Sequence, residues 1–300
     1  MTEVQRGHIA MLGFAIMVSG SFSLGGMAAP FVDPAALNAV RFVIAASVMG
    51  AAAWITGGIT RQVFAAPWRY FALAGLFAFY FVTMFEGLKT AEPVSMAAVF
   101  TLNPALTAVL SYLLLRQLTT MRMALAIAVG GVGALWVIFR ADISAVMAFE
   151  PGRGEAIYFW GCIAHALYSP LLRKLNRGEP ALAFTAGILV AGAIILTVIG
   201  APAILATNWL ALPGIVWVTI FYTALIATAL TFLVIRYATL RLPSAKVMAY
   251  TYIVPSFVIL WELALGQSVP SALILPGVVL TALSLLMLLK DEERAEPVPG

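Results

Sequence analysis

Ten long apolar runs divide this 300-residue sequence, and their length constrains the fold more than any other feature. A helix needs about 20 apolar residues to cross about 30 Å of hydrocarbon, and within a bilayer its backbone must satisfy its own hydrogen bonds. Each run is therefore predicted to be a membrane-spanning α-helix. The ten predicted spans are residues 8–28, 34–57, 68–88, 92–115, 121–140, 154–174, 181–200, 211–235, 243–266 and 270–290.

The segments between the runs carry residues that end helices. Asp33-Pro34, Glu92-Pro93 and Pro151-Gly152 are examples, and each separates two predicted spans. The chain is 63% apolar and 10% charged, so it has too few polar side chains to cover a water-exposed surface. The sequence therefore predicts an all-α polytopic membrane protein, followed by a flexible, acidic and Pro-rich tail at residues 291–300.

The Lys and Arg residues predict the orientation of the chain. If the N-terminus is inside, thirteen of them fall in inner segments and only Lys89, Arg140 and Arg153 lie in outer loops. Because positive residues favour the cytoplasmic side, both termini are predicted to be cytoplasmic in a bacterial inner (plasma) membrane. The inner residues are Arg6, Arg61, Arg69, Arg116, Arg122, Arg173, Lys174, Arg177, Arg236, Arg241, Lys246, Lys290 and Arg294.

The two halves of the sequence share one arrangement. Each half contains a predicted span with a proline near its middle, Pro104 in the fourth span and Pro255 in the ninth. Because each half has five spans, an odd number, the second copy must enter the membrane from the opposite face. We therefore predict one transmembrane domain with ten helices in an inverted 5+5 repeat, with repeat one at about residues 8–140 and repeat two at about 154–290. Such repeats bind substrate near the midplane between the copies.

Several short motifs give the chain a family resemblance. Residues 237–245, 252–255 and 263–267 resemble the second-half pattern of the drug/metabolite transporter superfamily, EamA type, and residues 87–89 and 102–104 echo it in the first half. The resemblance implies ten helices, alternating access, and export of amino acids, other metabolites or drugs. Within that family the chain is similar to the aromatic amino-acid exporters of the YddG group.

Two positions depart from that family pattern. Relatives commonly have Gly-Glu at the ends of the fourth and ninth helices, whereas this chain has Arg116-Gln117 and Gly266-Gln267. A role of those glutamates therefore does not transfer to this chain. Arg41 lies where the family often places an arginine in its second helix.

Tyrosine, methionine and hydroxyl side chains within the spans are the candidates for substrate contact. His165 shares a helix face with Tyr158 and Ser169, and this polar and aromatic stripe favours cavity lining over a purely interhelical hydrogen bond. A cavity of this kind suits neutral or zwitterionic substrates with flat apolar side chains. The predicted substrate-binding residues are Tyr80, Met84, Thr101, Tyr158, His165, Ser169, Tyr222, Ser244, Met248, Thr251 and Tyr252.

Three charged residues within the spans are coupling or structural candidates, because an ionisable group in a bilayer needs a partner or a cavity. Glu262 is either a cavity-facing carboxylate that couples protons to transport or a structural carboxylate that snorkels or pairs. Glu86 is predicted to pair with Lys89 three residues later. Arg41 is near enough to the outer surface to snorkel, with Asp33 or backbone carbonyls as partners, and a structural role is favoured over substrate contact.

The paired prolines are predicted hinges. Pro104 and Pro255 each remove a backbone donor and leave the carbonyl four residues earlier, of Phe100 or Thr251, without its helical partner. A single proline is usually a static kink. Prolines at matching places in both halves favour helices that bend between transport states.

The sequence speaks against several other functions. Two histidines, one cysteine and the lack of H-E-x-x-H and C-x-x-C motifs predict no metal site or other cofactor, and there is no P-loop for ATP. Cys162 has no second cysteine for a disulfide. The scattered cations predict no nucleic-acid partner, so the expected partners are a small-molecule substrate and the lipid bilayer, with the chain a monomer or a homodimer.

The sequence therefore predicts a membrane exporter of aromatic or other neutral amino acids and related metabolites. One alternative is a multidrug-type exporter of amphipathic compounds. An intramembrane enzyme that uses His165 and Ser169, and a membrane sensor that transports nothing, are further alternatives. The chain is predicted not to be an enzyme, because the sequence shows no third residue that would orient His165 as a base for Ser169.

Overall fold

The computed structural model describes residues 2–116, 120–148, 151–239, 241–242, 244–267 and 271–290, and the predicted tail lies outside these residues. Within the described residues, ten long helices confirm the predicted fold class. They are helix 1 (Glu3–Ala28), helix 2 (Pro34–Ile55), helix 3 (Trp68–Gly87), helix 4 (Pro93–Leu115), helix 5 (Met121–Ile138), helix 6 (Arg153–Leu175), helix 7 (Ala181–Ala206), helix 8 (214–239), helix 9 (244–264) and helix 10 (Leu275–Lys290).

Most of these helices have the length and composition of membrane spans. Eight helices in the described part of the chain are long and apolar enough to cross a bilayer. Helix 6 carries more polar side chains, among them Arg153, Glu155 and His165. Helix 10, together with the single turn Ala272–Ile274 before it, forms a shorter apolar helix.

The ends of two helices show how local sequence sets their bounds. Helix 1 begins at Glu3, earlier than the apolar run, because the Thr2 hydroxyl accepts from the Gln5 backbone N–H while the Gln5 side chain accepts from the Thr2 N–H. Helix 2 begins at Pro34, where Asp33 Oδ1 accepts from the backbone N–H groups of Ala35 and Ala36. Hydropathy alone therefore misses the polar first turns of helix 1, whereas the observed start of helix 2 agrees with the predicted one.

Other bounds also differ from the predicted ones. Helix 7 continues six residues beyond the predicted end at residue 200, through Pro202 to Ala206, because its apolar run is longer than the predicted span. A short helix, Ile143–Ala148, lies in the connection between helices 5 and 6 and was not predicted. Short 3₁₀ turns at Arg61–Phe64 and Trp209–Ala211 lie in two further connections.

Helices that correspond in the two repeats pack in corresponding pairs. Helix 2 packs on helix 7, and helix 5 packs on helix 10. Helices 3 and 4 of the first repeat both pack on helix 6 of the second repeat. Their counterparts in the second repeat, helices 8 and 9, both pack on helix 1, which is the counterpart of helix 6. Because each repeat has five helices, corresponding helices run in opposite directions, which is the predicted inverted arrangement.

Glycines allow the closest of these helix crossings. A Cβ atom at Gly133 in helix 5 would lie 2.6 Å from the carbonyl oxygen of Gly277 in helix 10, and a Cβ at Gly277 would lie equally close to the Gly133 carbonyl. No side chain larger than hydrogen fits at either position without a backbone shift. Small residues allow transmembrane helices to approach in this way.

Within the described residues, three helices have interruptions in their regular geometry, and two of these interruptions lie just before the predicted hinge prolines. Helix 4 is divided into Pro93–Phe100 and Asn103–Leu115, so its break directly precedes Pro104. Helix 9 changes from Ser244–Ala249 to a 3₁₀ turn at Tyr250–Ile253 and continues as Val254–Ala264, with Pro255 in its first turn. Helix 8 consists of Gly214–Phe221, a π-helical segment at Tyr222–Leu230, and Thr231–Thr239.

Candidate functional site

A small cavity lies between helices 1, 3 and 4 of the first half and helices 6 and 8 of the second half, and we call it the central cavity. Its volume is about 40 Å³. A pocket that holds a drug-sized molecule has about 300 Å³ or more, so a substrate would require this cavity to widen. The described lining residues are Phe14, Val18, Ser21, Phe77, Tyr80, Phe81, Met84, Phe100, His165, Ala227, Thr231, Phe232 and Ile235.

Tyr80 and Tyr158 join helices 3 and 6 beside the central cavity. The Tyr158 hydroxyl donates to the Tyr80 hydroxyl over 2.9 Å, and both side chains are buried. The two helices approach closely here because Gly161 has no side chain, and a Cβ atom at Gly161 would collide with the Thr83 hydroxyl. The polar ends of two aromatic side chains are thereby held at the cavity wall.

His165 connects helix 6 to the interruption in helix 4. Its Nδ1 lies 3.2 Å from Asn103 Oδ1, and the Asn103 amide nitrogen donates to the Phe100 carbonyl over 2.9 Å. Because an amide oxygen only accepts, His165 Nδ1 is the donor in this pair. The carbonyl that Pro104 leaves without a helical partner is therefore satisfied by Asn103, and the same side chain orients His165.

Aromatic rings surround the His165 imidazole. The ring centroids of Tyr80, Phe100 and Phe77 lie 4.6, 5.4 and 5.7 Å from the imidazole centroid. On helix 1, the Ser21 hydroxyl also lines the cavity, and it is buried without a hydrogen-bond partner among the described residues. The cavity thus combines flat apolar surfaces with a hydroxyl that is available to a ligand.

Arg41 is fully buried between helices 2, 3 and 8. Its Nε and Nη2 donate to the Thr228 hydroxyl over 2.9 and 2.7 Å, and its Nη1 donates to Asn38 Oδ1 over 3.4 Å. The guanidinium carbon lies 3.7 Å from the centroid of the Phe81 ring, a cation–π contact. The expectation that Arg41 snorkels or pairs with Asp33 is wrong, because the Asp33 carboxylate caps helix 2 and Arg41 points into the protein.

The structure brings together only part of the predicted substrate site. Tyr80, Met84 and His165 line the central cavity, and Tyr158 adjoins it through Tyr80. The described lining does not include Met248. The side chains of the other predicted residues from helices 6 and 9, Ser169 and Ser244, lie outside the described part of the structure.

Four other predicted residues make contacts within or between helices instead. The Tyr222 hydroxyl donates to the Met17 carbonyl over 2.8 Å, and Tyr252 packs in a separate apolar cluster with helices 5 and 10. The hydroxyls of Thr101 and Thr251 donate to carbonyls three residues earlier in their own helices, over 2.7 and 2.9 Å. Their placement differs from the prediction because a helix face read from sequence does not show which neighbour covers it.

Several residues of this region were not predicted as site residues. Phe81, Phe100 and Thr231 line the cavity, and Asn103 holds His165. One signal was present in the sequence, since Asn103 is the only asparagine inside a predicted span that directly precedes a proline. The phenylalanines had no such signal, because most apolar aromatic residues in membrane helices face lipid or the core.

The two predicted acidic candidates lie away from the central cavity. Lys89 Nζ bonds to Glu86 Oε2 over 2.7 Å, so the predicted local pair is present, near the end of helix 3. Glu262 is buried near the end of helix 9, close to Ser23 of helix 1. Its Oε1 has no hydrogen-bond partner among the described residues.

A buried ion pair that the sequence did not reveal joins helix 3 to the connection between helices 6 and 7. Arg69 Nη2 lies 2.5 Å from Glu179 Oε1, and both side chains are at most 2% exposed. Arg69 also donates to the Leu175 carbonyl, while Glu179 Oε2 accepts from the Arg177 backbone N–H. Burial raises the pKa of Glu179, but these hydrogen bonds and the Arg69 charge outweigh it and hold the pKa below its usual range.

Two larger hollows lie elsewhere. The first lies between helix 7, helix 3 and the connection between helices 2 and 3, and the second lies between helices 2 and 7. They measure about 250 and 470 Å³ and share Val190 and Ile194. Their described linings are almost entirely apolar and contain no charged residue. Such hollows offer few groups that could orient a polar substrate, so the smaller central cavity is the better candidate site.

The sequence of this chain matches a known transporter family twice. The profile of the EamA-like transporter family matches residues 5–139 and again residues 152–290, so the two matches cover nearly the whole chain. The chain belongs to the EamA-like transporter family. This EamA-like protein is therefore a multi-pass membrane transporter with an internal repeat, and its family consists of transporters and not of enzymes.

Two further comparisons agree with this assignment. The EamA-like protein is similar to the uncharacterized transporter YyaM of Bacillus subtilis (strain 168), with 28% identity over 282 residues that span 93% of this chain and 92% of the relative. It also superposes on a protein crystal structure with a TM-score of 0.72 and 21% identity, over 97% of this chain and 99% of the other. The second likeness shows that the fold is shared.

Proposed function

We propose that this EamA-like protein exports aromatic or other neutral amino acids and related small metabolites across a bacterial inner membrane. The central cavity is the observation that carries the proposal. It lies between the two repeats, and its rings from Tyr80, Phe100 and His165 can stack on a flat side chain. The Ser21 hydroxyl and the tyrosine hydroxyls can hydrogen-bond a polar group beside that side chain.

Transport in this proposal occurs by alternating access. The 40 Å³ cavity represents a closed arrangement, and helices 4 and 9 bend near Pro104 and Pro255 to open it toward one face and then the other. Both termini are cytoplasmic, as the distribution of Lys and Arg favours. The whole chain acts as one transmembrane domain, because the cavity wall comes from both repeats.

The alternative of multidrug export has less support in the cavity. The described lining contains no acidic residue, and a cationic amphipathic compound would lack a carboxylate partner there. Export of such compounds predicts that expressing cells become resistant to cationic dyes and that amino acids do not compete. An amino-acid exporter predicts the opposite result in both assays.

Flux in proteoliposomes tests the proposal. We expect purified protein to transport radiolabelled phenylalanine, tyrosine, tryptophan or a small neutral amino acid, above the flux of protein-free liposomes. Tyr80→Ala should abolish this flux, whereas Tyr112→Ala should retain it, because Tyr112 is an exposed tyrosine of helix 4 outside the cavity. Absence of flux for every aromatic and small neutral amino acid would refute the substrate class.

Glu262 is the proposed coupling residue for protons. It is buried, and one of its carboxylate oxygens lacks a partner among the described residues. Binding of a proton would remove the cost of the buried charge. Glu262→Gln should therefore abolish the pH dependence of flux, and an unchanged pH dependence would rule out this role.

A further inference from the structure

The charge of Arg41 has no counterion in the described part of the structure. The guanidinium is fully buried, and the groups that contact it are the Thr228 hydroxyl, the Asn38 amide oxygen and the Phe81 ring, all neutral. Burial of a cation in a low-dielectric environment is costly unless an anion or a full set of hydrogen bonds compensates it. An uncompensated charge therefore calls for a ligand or for a further role.

The hydrogen-bonding capacity of Arg41 is also incomplete. A guanidinium has five N–H donors, and the structure gives partners to three of them. Two of those three share one acceptor, Thr228 Oγ1, and the third bond is long at 3.4 Å. The planar donor fork that would match both oxygens of a carboxylate is thus held by a single hydroxyl.

Arg41 lies directly behind the wall of the central cavity. Phe81, whose ring contacts the guanidinium, lines the cavity. Thr228, its main acceptor, lies between the cavity-lining residues Ala227 and Thr231 of helix 8. A rotation of the Phe81 ring together with a small shift of helix 8 would expose the guanidinium to a molecule in the cavity.

Helix 8 has an unusual geometry at this point. Thr228 belongs to the π-helical segment Tyr222–Leu230. π-Helical turns are rare, and they occur frequently at functional sites. The segment provides a local means to withdraw the Thr228 hydroxyl from Arg41 without moving the whole helix.

We propose that Arg41 is the anion subsite of the transport site and binds the carboxylate of the substrate. In the closed arrangement the Thr228 hydroxyl occupies the donor fork. When substrate enters, its carboxylate replaces that hydroxyl, and the aromatic or apolar side chain of the substrate packs among the rings around His165. The preferred substrates are then carboxylates, such as free amino acids, and the corresponding amides bind poorly. This inference rests on the proposed function, because it assigns the substrate class of the same cavity.

Thermal stabilisation of the purified protein tests the inference with two matched pairs of probes. Phenylalanine is compared with phenylalaninamide, and 3-phenylpropanoate is compared with 3-phenylpropanamide, which differ only in the carboxylate. We expect each acid to raise the melting temperature and to bind at least about tenfold more tightly than its amide, because hydrogen bonds between charged groups are stronger than those between a charged and a neutral group. Equal stabilisation by acid and amide would overturn the inference while leaving amino-acid transport intact.

Variants locate the effect at Arg41. Arg41→Gln should bind acid and amide equally, and Arg41→Lys should keep only part of the preference because an ammonium lacks the planar fork. Arg61→Gln, which removes an exposed arginine from the connection between helices 2 and 3, should keep the full preference. A preference that persists in Arg41→Gln would overturn the inference. If Arg41→Gln does not fold, the inference is tested by comparing acids with amides on the native protein and on Arg41→Lys. A preference for acids that is as large in Arg41→Lys as in the native protein would overturn it.

Two remaining outcomes separate this inference from the proposed function. Stabilisation by 3-phenylpropanoate but not by phenylalanine would refute amino-acid export and support the anion subsite. Stabilisation by none of the acids would overturn the anion subsite, and the flux assay would then decide the proposed function independently.

Discussion

The interruptions of helices 4 and 9 occupy corresponding places in the two repeats, yet they face different environments. At the helix 4 break, Asn103 satisfies the Phe100 carbonyl and holds His165 at the central cavity. At the helix 9 break, the Val254 N–H bonds to the Thr251 carbonyl through a 3₁₀ turn, and Tyr252 packs against helices 5 and 10. The repeat thus determines where helices bend, whereas individual side chains determine which bend contributes to a site.

The two ends of the helix bundle also differ, in the interaction that stabilises a corresponding connection at each end. At the end where helix 3 begins, the buried pair of Arg69 and Glu179 ties helix 3 to the connection between helices 6 and 7. The corresponding connection at the other end lies between helices 1 and 2, and its Asp33 caps helix 2. A buried ion pair therefore holds one end, and a helix cap holds the other.

The largest expected effect comes from breaking the buried pair. Arg69→Met should lower the free energy of unfolding by about 3 kcal/mol, because it leaves the Glu179 carboxylate buried without its cation. Asp33→Ala at the other end should cost about 1 kcal/mol, the usual effect of a lost helix cap. Thermal melting of both variants in detergent checks the comparison, and equal losses would contradict it.

The same pair predicts a dependence of stability on pH. Because hydrogen bonds and the Arg69 charge hold the pKa of Glu179 below its usual range, its contribution to stability is complete above the unfolded pKa of about 4.3. That contribution is lost as the pH falls below this value and through the lower pKa of the folded protein. Melting temperatures should therefore drop more steeply below about pH 4.3 for the native protein than for Glu179→Gln. Parallel profiles would show that the pair contributes nothing to this dependence.

The difference between the two helix breaks predicts a difference in transport. Asn103→Leu should reduce flux by about tenfold or more, because His165 loses its hydrogen-bond partner and the Phe100 carbonyl loses its donor. Thr251→Val, at the other break, should change flux by less than about threefold. Melting temperatures of both variants serve as the control for folding, and similar flux losses would mean that the two breaks contribute equally.

The smallest effect concerns the ends of helices 4 and 9. Both end at a residue in the left-handed conformation, Arg116 with a φ of 55° and Gly266 with a φ of 65°. Glycine adopts this conformation without strain, whereas other residues do so at a cost. Gly266→Arg should therefore lower the free energy of unfolding by about 1 kcal/mol, and Arg116→Gly should raise it by about 0.5 kcal/mol. A change of the same sign in both variants would contradict the comparison.

The sequence predicts the scaffold well because spans, breaks and local pairs have local causes. Apolar runs of bilayer length locate the ten helices, Pro104 and Pro255 mark interruptions, and the spacing of Glu86 and Lys89 predicts their pair. These features depend on residues within a few positions of one another. The prediction therefore holds without knowledge of which helices are neighbours.

The site itself is predicted only in part because it depends on contacts between distant segments. The polar groups of Tyr80 and His165 on aromatic helix faces indicate cavity lining, and both residues line the cavity. Tyr222 and Tyr252 have the same chemistry, but the neighbouring helices cover them. Likewise, the partner of Arg41 is Thr228, 187 residues away, which no local pattern indicates.

Accessibility of the central cavity from the two faces of the membrane tests alternating access most directly. Ser21→Cys in a Cys162→Ser background places one thiol at the cavity wall, and a membrane-impermeant maleimide can then be applied to either face of oriented vesicles that retain transport. We predict labelling from both faces, with protection by the transported substrate. Labelling from one face only, or from neither, would contradict a pathway through this cavity.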